Sequence, residues 1–141
     1  MNEIIERVGR ILFALPFIVF GAGHFANSAS MATMVPAYLP GPLFWVYLTG
    51  AAQIAAGISI VIRRYDRLAG LLLAGLLVVY VITVHIPGLS SPDQTRRLIS
   101  FANLLKDLGL AGGALVISTP SRRSGPDRAE EGRLRQTARA A

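Results

Sequence analysis

The apolar positions of this chain fall into four runs, Ile11–Phe25, Leu43–Ile62, Leu68–Ile86 and Leu98–Ile117, parted by short polar segments. A bilayer's hydrocarbon core is about 30 Å thick and takes about 20 helical residues to cross. The last three runs have 20, 19 and 20 residues, so each matches a crossing. The first has 15, about 22 Å at 1.5 Å per residue. It has to borrow Val8–Arg10, with Arg10 snorkelling to the surface. Pro16 should kink it. The pattern predicts an all-α integral membrane protein, a four-helix up-down bundle with helices at about 4–26, 43–62, 68–86 and 97–117. These make one domain over 1–118.

The intervening segments agree with that division. Met1–Arg10, with Glu3, Glu6, Arg7 and Arg10, should start a helix at the membrane surface. A cleaved signal peptide is the competing reading of this end, with small residues at Ala26–Ser30. His24 and Asn27, one turn apart, favour an interior helix face instead. Ala26–Pro42 reads as an uncharged loop, punctuated by Pro36, Pro40, Gly41 and Pro42. Tyr38, Phe44, Trp45 and Tyr47 beside it suit an interfacial aromatic belt. Gly50 to Gly57, Gly70 with Ala74, and the GxxxG at Gly109–Gly113 offer close helix contacts. Ser91-Pro92-Asp93 is a helix-start signal. Residues 119–141, rich in Ser, Gly, Arg and Glu, are expected to be a disordered cytoplasmic tail.

Composition sharpens this picture. Of 141 residues, 52% are hydrophobic and 16% charged, against about 25% charged in soluble domains. Mean hydropathy is +0.50. The net charge of +6 does not point to nucleic acid, because thirteen of the fourteen basic residues are arginines outside the apolar runs. They serve as topology signals, with attraction to anionic lipid as a second effect. With the N-terminus inside, eleven arginines lie on inner segments and only Arg96 and Arg97 outside. Both termini are therefore expected in the cytoplasm (N-in/C-in), in a bacterial-type inner membrane. There are no cysteines, which excludes disulfides, thiolate metal sites and Cys-x-x-Cys redox chemistry.

The candidate chemistry lies within the spans. Lys106 and Asp107 stand near the middle of the fourth run. An ionisable group at that depth costs about 2.5–3.5 kcal/mol on insertion scales, so both should face the interior and have partners. Adjacent residues point about 100° apart on a helix and do not easily neutralise each other. Asp107 is expected to meet His24 or Gln53, and Lys106 a carbonyl or an anionic or quinone oxygen. Ser100, Asn103 and Lys106 recur every third residue on one stripe. With His24, Gln53 and His85 they predict a polar cavity open to the outer half of the bilayer. His24 and His85 suit proton handling or ligand contact, but two histidines without further ligands are weak ground for haem. Tyr80 and Thr83 are read as packing residues. No metal-ligand cluster, phosphate loop or nucleophile elbow is present.

The residues over Arg10–Ser118 resemble the DoxX-like family of small four-helix membrane proteins. The resemblance rests on Gly21-x-Gly23-His24-Phe25, Met34-Val-Pro-Ala-Tyr-Leu-Pro40, Phe44-Trp-Val-Tyr-Leu-Thr-Gly50 and Gln53-x-x-Ala-Gly57. It continues through Val84-His85-Ile-Pro87 and Asn103-x-x-Lys106-Asp107-Leu-x-Leu-Ala-Gly-Gly113. The family often has lysine where His24 stands and glutamate where Gln53 stands, so only the Lys106-Asp107 match carries over intact.

The resemblance implies a membrane redox context, with subunits linked to passing electrons to quinone. It makes this chain a non-catalytic or accessory subunit, in the bilayer with a redox partner protein or as a homo-oligomer. The alternatives are a quinone-binding oxidoreductase subunit using Lys106, His85 and Asp107, and a small-solute or proton permease. The candidate ligand residues are His24, Gln53, His85, Asn103, Lys106 and Asp107. Quinone is the cofactor to be considered.

Overall fold

Helix boundaries follow from local chemistry at each turn. The computed structural model describes residues 2–119 and Thr137. Helix α1 (Asn2–Ala26) is assigned without a break through Pro16. Helix α3 (Pro42–Ile62) begins with Pro42 at its first position, where a missing N–H costs nothing. Gly41 precedes it in the left-handed region, at φ 67°. Arg63 and Tyr65 also take positive φ, so the three-residue turn 63–65 reverses the chain into α4 (Asp66–Tyr80). Helix α6 (Gln94–Ser118) is capped by Asp93, whose Oδ1 accepts the Thr95 N–H at 2.9 Å.

Two local features depart from the expectations. The segment expected as a loop over 26–42 contains a short helix, α2 (Ser28–Ala32), one residue beyond α1. The third run extends past its expected end at 86. After α4 comes a π-helical turn, Val81–His85, and then α5 (Ile86–Gly88). Pro87 explains the widening. It has no N–H to give the carbonyl one turn back, and its ring crowds that carbonyl, so the helix relaxes into a wider turn. The tail expected from 119 onward lies, apart from Thr119 and Thr137, outside the described residues.

Three of the helical segments among the described residues are long and apolar enough to cross a membrane: Pro42–Ile62, Asp66–Gly88 and Gln94–Ser118. Their outward side chains fit that role, since Leu72, Ile82, Leu98 and Val116 are all well exposed. Among the described residues the structure is all-helical, with three helices of membrane-crossing length and hydropathy. Helix α1, expected as a further crossing, is not among the three; its apolar stretch is the short one.

Packing pairs the helices unequally. The contacts are richest between α1 and α3 and between α4 and α6, and sparser between α3 and α4. Small residues explain the close pairs. A Cβ on Gly50 would lie 2.7 Å from the His24 Cβ and 3.1 Å from the Gly21 carbonyl oxygen. Further along the same seam, Gly57 faces the Ala14 carbonyl, so α1 and α3 run antiparallel. On the other pair, Gly70 faces the Ala114 carbonyl and Ser118. The buried core joins the two pairs through Phe17, Ile60, Leu73 and Ala114. In the GxxxG, Gly113 packs on Phe13 while Gly109 has nothing within 4 Å. That motif therefore supplies one close contact, at Gly113, with Gly109 open.

An ion network closes one end. Glu6 Oε1 accepts from Arg10 Nε at 3.2 Å and from an Arg63 terminal nitrogen at 2.9 Å. Arg10 also donates to Asp66 Oδ2 at 2.6 Å. Its side chain is 11% exposed, so Arg10 is folded into a network instead of snorkelling freely.

The seam gives a clean expectation for stability. Gly50→Val should lower the unfolding free energy by about 1–3 kcal/mol through overpacking. Gly109→Ala, placed in open space, should leave it unchanged or slightly raised. Thermal unfolding in detergent, followed by circular dichroism, separates the two; equal effects would contradict the close α1–α3 approach.

Candidate ligand-binding cleft

Between the two close helix pairs runs a cleft of about 750 Å³. Its walls are mostly apolar, with Phe17, Leu72, Leu73 and Leu77 among them. Helix α2, through Met31, and the segment after it, through Met34, Val35 and Leu39, line one end. Trp45 ties that segment down, donating from Nε1 to the Pro40 carbonyl at 3.0 Å. His24, Gln53, His85, Asn103, Lys106 and Asp107 all line this one cleft. Five of them fall into two separate networks, and Asn103 stands outside both.

The first network surrounds Asp107, which is 3% exposed. Its Oδ2 lies 2.9 Å from His85 Nε2 and its Oδ1 3.4 Å from Lys106 Nζ. The expected partners, His24 and Gln53, are not the ones it meets. Helix α6 starts at Gln94, and its Ser100 packs on Gly88. Its first two turns thus run past the end of α5, bringing Asp107 level with His85. Lys106 also departs from expectation. Its flexible stem brings the ammonium back to the neighbouring carboxylate despite the 100° offset of adjacent residues. The ammonium also sits 4.8 Å from the centre of the Phe20 ring. Its side chain remains 42% exposed, on the wall of the cleft.

The second network is directional. His24 Nδ1 lies 2.7 Å from the Phe20 carbonyl oxygen, which can only accept, so Nδ1 carries the proton. In the neutral ring Nε2 is then an acceptor, and the Tyr80 hydroxyl 3.4 Å away donates to it. Gln53 Nε2 donates to the Tyr80 oxygen at 3.2 Å. The chain runs Gln53 to Tyr80 to His24 to the α1 backbone. Tyr80, read from sequence as a packing residue, is its centre. The available signal was its hydroxyl, since a tyrosine inside an apolar span needs a polar partner.

Two members have capacity to spare. Asn103 has no side-chain hydrogen bond among the described residues, and its amide lines the cleft. Lys106 has further N–H groups beyond the one directed at Asp107. Ser100 leaves the expected stripe, packing on Gly88. The two histidines engage Tyr80 and Asp107 respectively. Among the described residues no group of three or more His, Asp or Glu is placed to hold a metal ion.

Asp107 is buried, and removing one of its hydrogen-bond partners leaves a buried polar group under-satisfied, at a cost of about 1–3 kcal/mol. His85→Leu should therefore destabilise the fold. The double substitution His85→Leu with Asp107→Leu should recover part of the loss, with coupling of about 1–3 kcal/mol. Unfolding measured across the four-member cycle in nanodiscs checks this; strict additivity would show that the pair is not energetically linked.

No curated protein and no solved structure matches the chain. Residues 13–118, which hold both networks and every helix wall of the cleft, match a family described as a domain of unknown function (DUF8561), and the chain belongs to that family.

Proposed function

We propose that the protein is an accessory subunit of a quinone-linked membrane redox system, with the cleft as its quinone site. The observation that carries this reading is the cleft's make-up: a long apolar channel with convergent donors. An isoprenoid tail suits the apolar walls, and small-molecule sites typically combine such walls with a few placed polar groups. Lys106 and Asn103 are the unspent donors for the ring oxygens. Asp107 holds both Lys106 and His85 at the cleft wall. In this reading a partner protein supplies the electrons.

The same reading carries α1 across the bilayer as a fourth span. Its support is the antiparallel seam with α3 and the charged end shared by Glu6, Arg10, Arg63 and Asp66. That end is cytoplasmic by the arginine bias, placing both termini inside and the polar part of the cleft toward the outer half. The DoxX-like resemblance is consistent with this setting and supplies its redox context.

Lipid extraction of the purified protein, followed by an ultraviolet spectrum, should reveal co-purifying quinone. Titration with a short-tailed ubiquinone should show binding weakened about tenfold or more, over 1.4 kcal/mol, in both Lys106→Ala and His85→Ala. Normal binding by both variants would sink the quinone reading. The accessory role has its own check: pull-down from solubilised membranes should bring a stoichiometric partner, and a monodisperse homomer would contradict it.

A further inference from the structure

At the opposite end from the Asp107 network lies a second hollow of about 320 Å³. Arg10, Arg63, Asp66, Arg67, Ser118 and Thr119 wall it, drawn from α1, the 63–65 turn, α4 and the end of α6. Its hydrogen-bond balance is one-sided. Asp66 and Glu6 already accept from Arg10, and Glu6 accepts from Arg63 as well. The hydroxyls of Ser118 and Thr119 donate to the Ala114 and Val116 carbonyls. The guanidinium of Arg67 has no partner among the described residues; only its backbone N–H is engaged, by Asp66 Oδ1 at 2.9 Å. What remains are planar cationic donors, Arg67 foremost and the unused N–H groups of Arg63 next. The positive end of the α4 dipole adds to them.

A cation has little to bind here, because the carboxylates are occupied. A phosphate matches the arginine fork in charge and geometry. Ile62 and Leu68, next in sequence to Arg63 and Arg67, are exposed apolar side chains, a surface of the kind against which the acyl chains of a phosphate-bearing amphiphile would lie. We propose that this hollow is a binding site for a phosphate group supplied by an anionic phospholipid, with Arg67 and Arg63 as its donors. The site is independent of the cleft and of any redox role; it needs only that the helices sit in a bilayer.

The test compares phosphatidylglycerol with phosphatidylcholine retained by the full chain, measured by native mass spectrometry from detergent micelles of equal lipid content. Phosphatidylglycerol should be preferred about tenfold, and Arg67→Ala should abolish most of that preference. Arg96→Ala removes an equal charge at the far end and should leave it intact. Arg67→Lys should restore it only in part, because the ammonium lacks the fork. Equal loss in the Arg67 and Arg96 variants, or no lipid preference in the unmodified chain together with no Arg67-dependent binding of inorganic phosphate, would overturn the site. Inorganic phosphate is the remaining arm. If it binds with the same Arg67 dependence while the lipids show no preference, the phosphate chemistry stands and the lipid source is overturned.

Discussion

A carboxylate buried in apolar surroundings has to be surrounded by compensating groups, and Asp107 imposes that constraint on the whole fold. The group is closed off from solvent, so its two oxygens must find donors within the protein. One donor comes from its own helix, through Lys106, and one from the helix ahead of it, through His85. Satisfying both fixes the axial register of α6 against the α4–π–α5 segment. Gly88 is needed for the same register, because Ser100 passes directly over it. The π turn falls in the same stretch and ends at His85 itself. Polar satisfaction and backbone irregularity therefore coincide at one level of the molecule.

The cleft follows from how small residues are distributed. Where glycines and alanines line both sides of a seam, backbones approach and no space is left. That happens between α1 and α3 at Gly21, Gly50 and Gly57, and between α4 and α6 at Gly70 and Ala114. The sides of α3 and α4 that face the cleft mix large residues, Gln53, Leu73, Leu77 and Tyr80, with small ones, Ala52, Ala55, Ala56 and Ser59. The helix pairs stay internally close, and the cleft lies between them.

Much of this was legible in the apolar pattern. The cap at Asp93, the start at Pro42 and the small-residue seam on α3 are local features, and local chemistry specifies them. Helical character and the bulk membrane signal follow from run length and composition. What was not legible depends on register between distant segments. His24 and His85 both read as helix ends toward the outer face, and nothing local to either helix tells which of them Asp107 meets. The overhang of α6 beyond Gly88, set by three-dimensional packing, moves Asp107 and His85 together. Tyr80 was missed because its partners lie on α1 and α3, far away in sequence. Helix α2 has only five residues, too few for a periodic pattern. Pro87 was readable as a terminator, but its widening of the preceding turn depends on the helix continuing past it.

The division of donors between the two networks determines which face of the cleft can act on a guest. The Gln53–Tyr80–His24 chain ends on a backbone carbonyl of α1, with the tyrosine hydroxyl already donating and accepting. Its role is to brace three helices, α1, α3 and α4, against one another. A guest reaching that wall meets groups whose strongest hydrogen bonds are made. The α6 wall differs: Asn103 is unengaged and Lys106 only partly so. One turn of one helix thus presents most of the unused donors, while the opposite wall holds the cleft open. A rigid bracing wall facing a wall of unspent donors favours a ligand with a flat polar head, held by one edge and aligned along the channel. A solute hydrogen-bonded on all sides would leave the braced wall's share of its needs unmet.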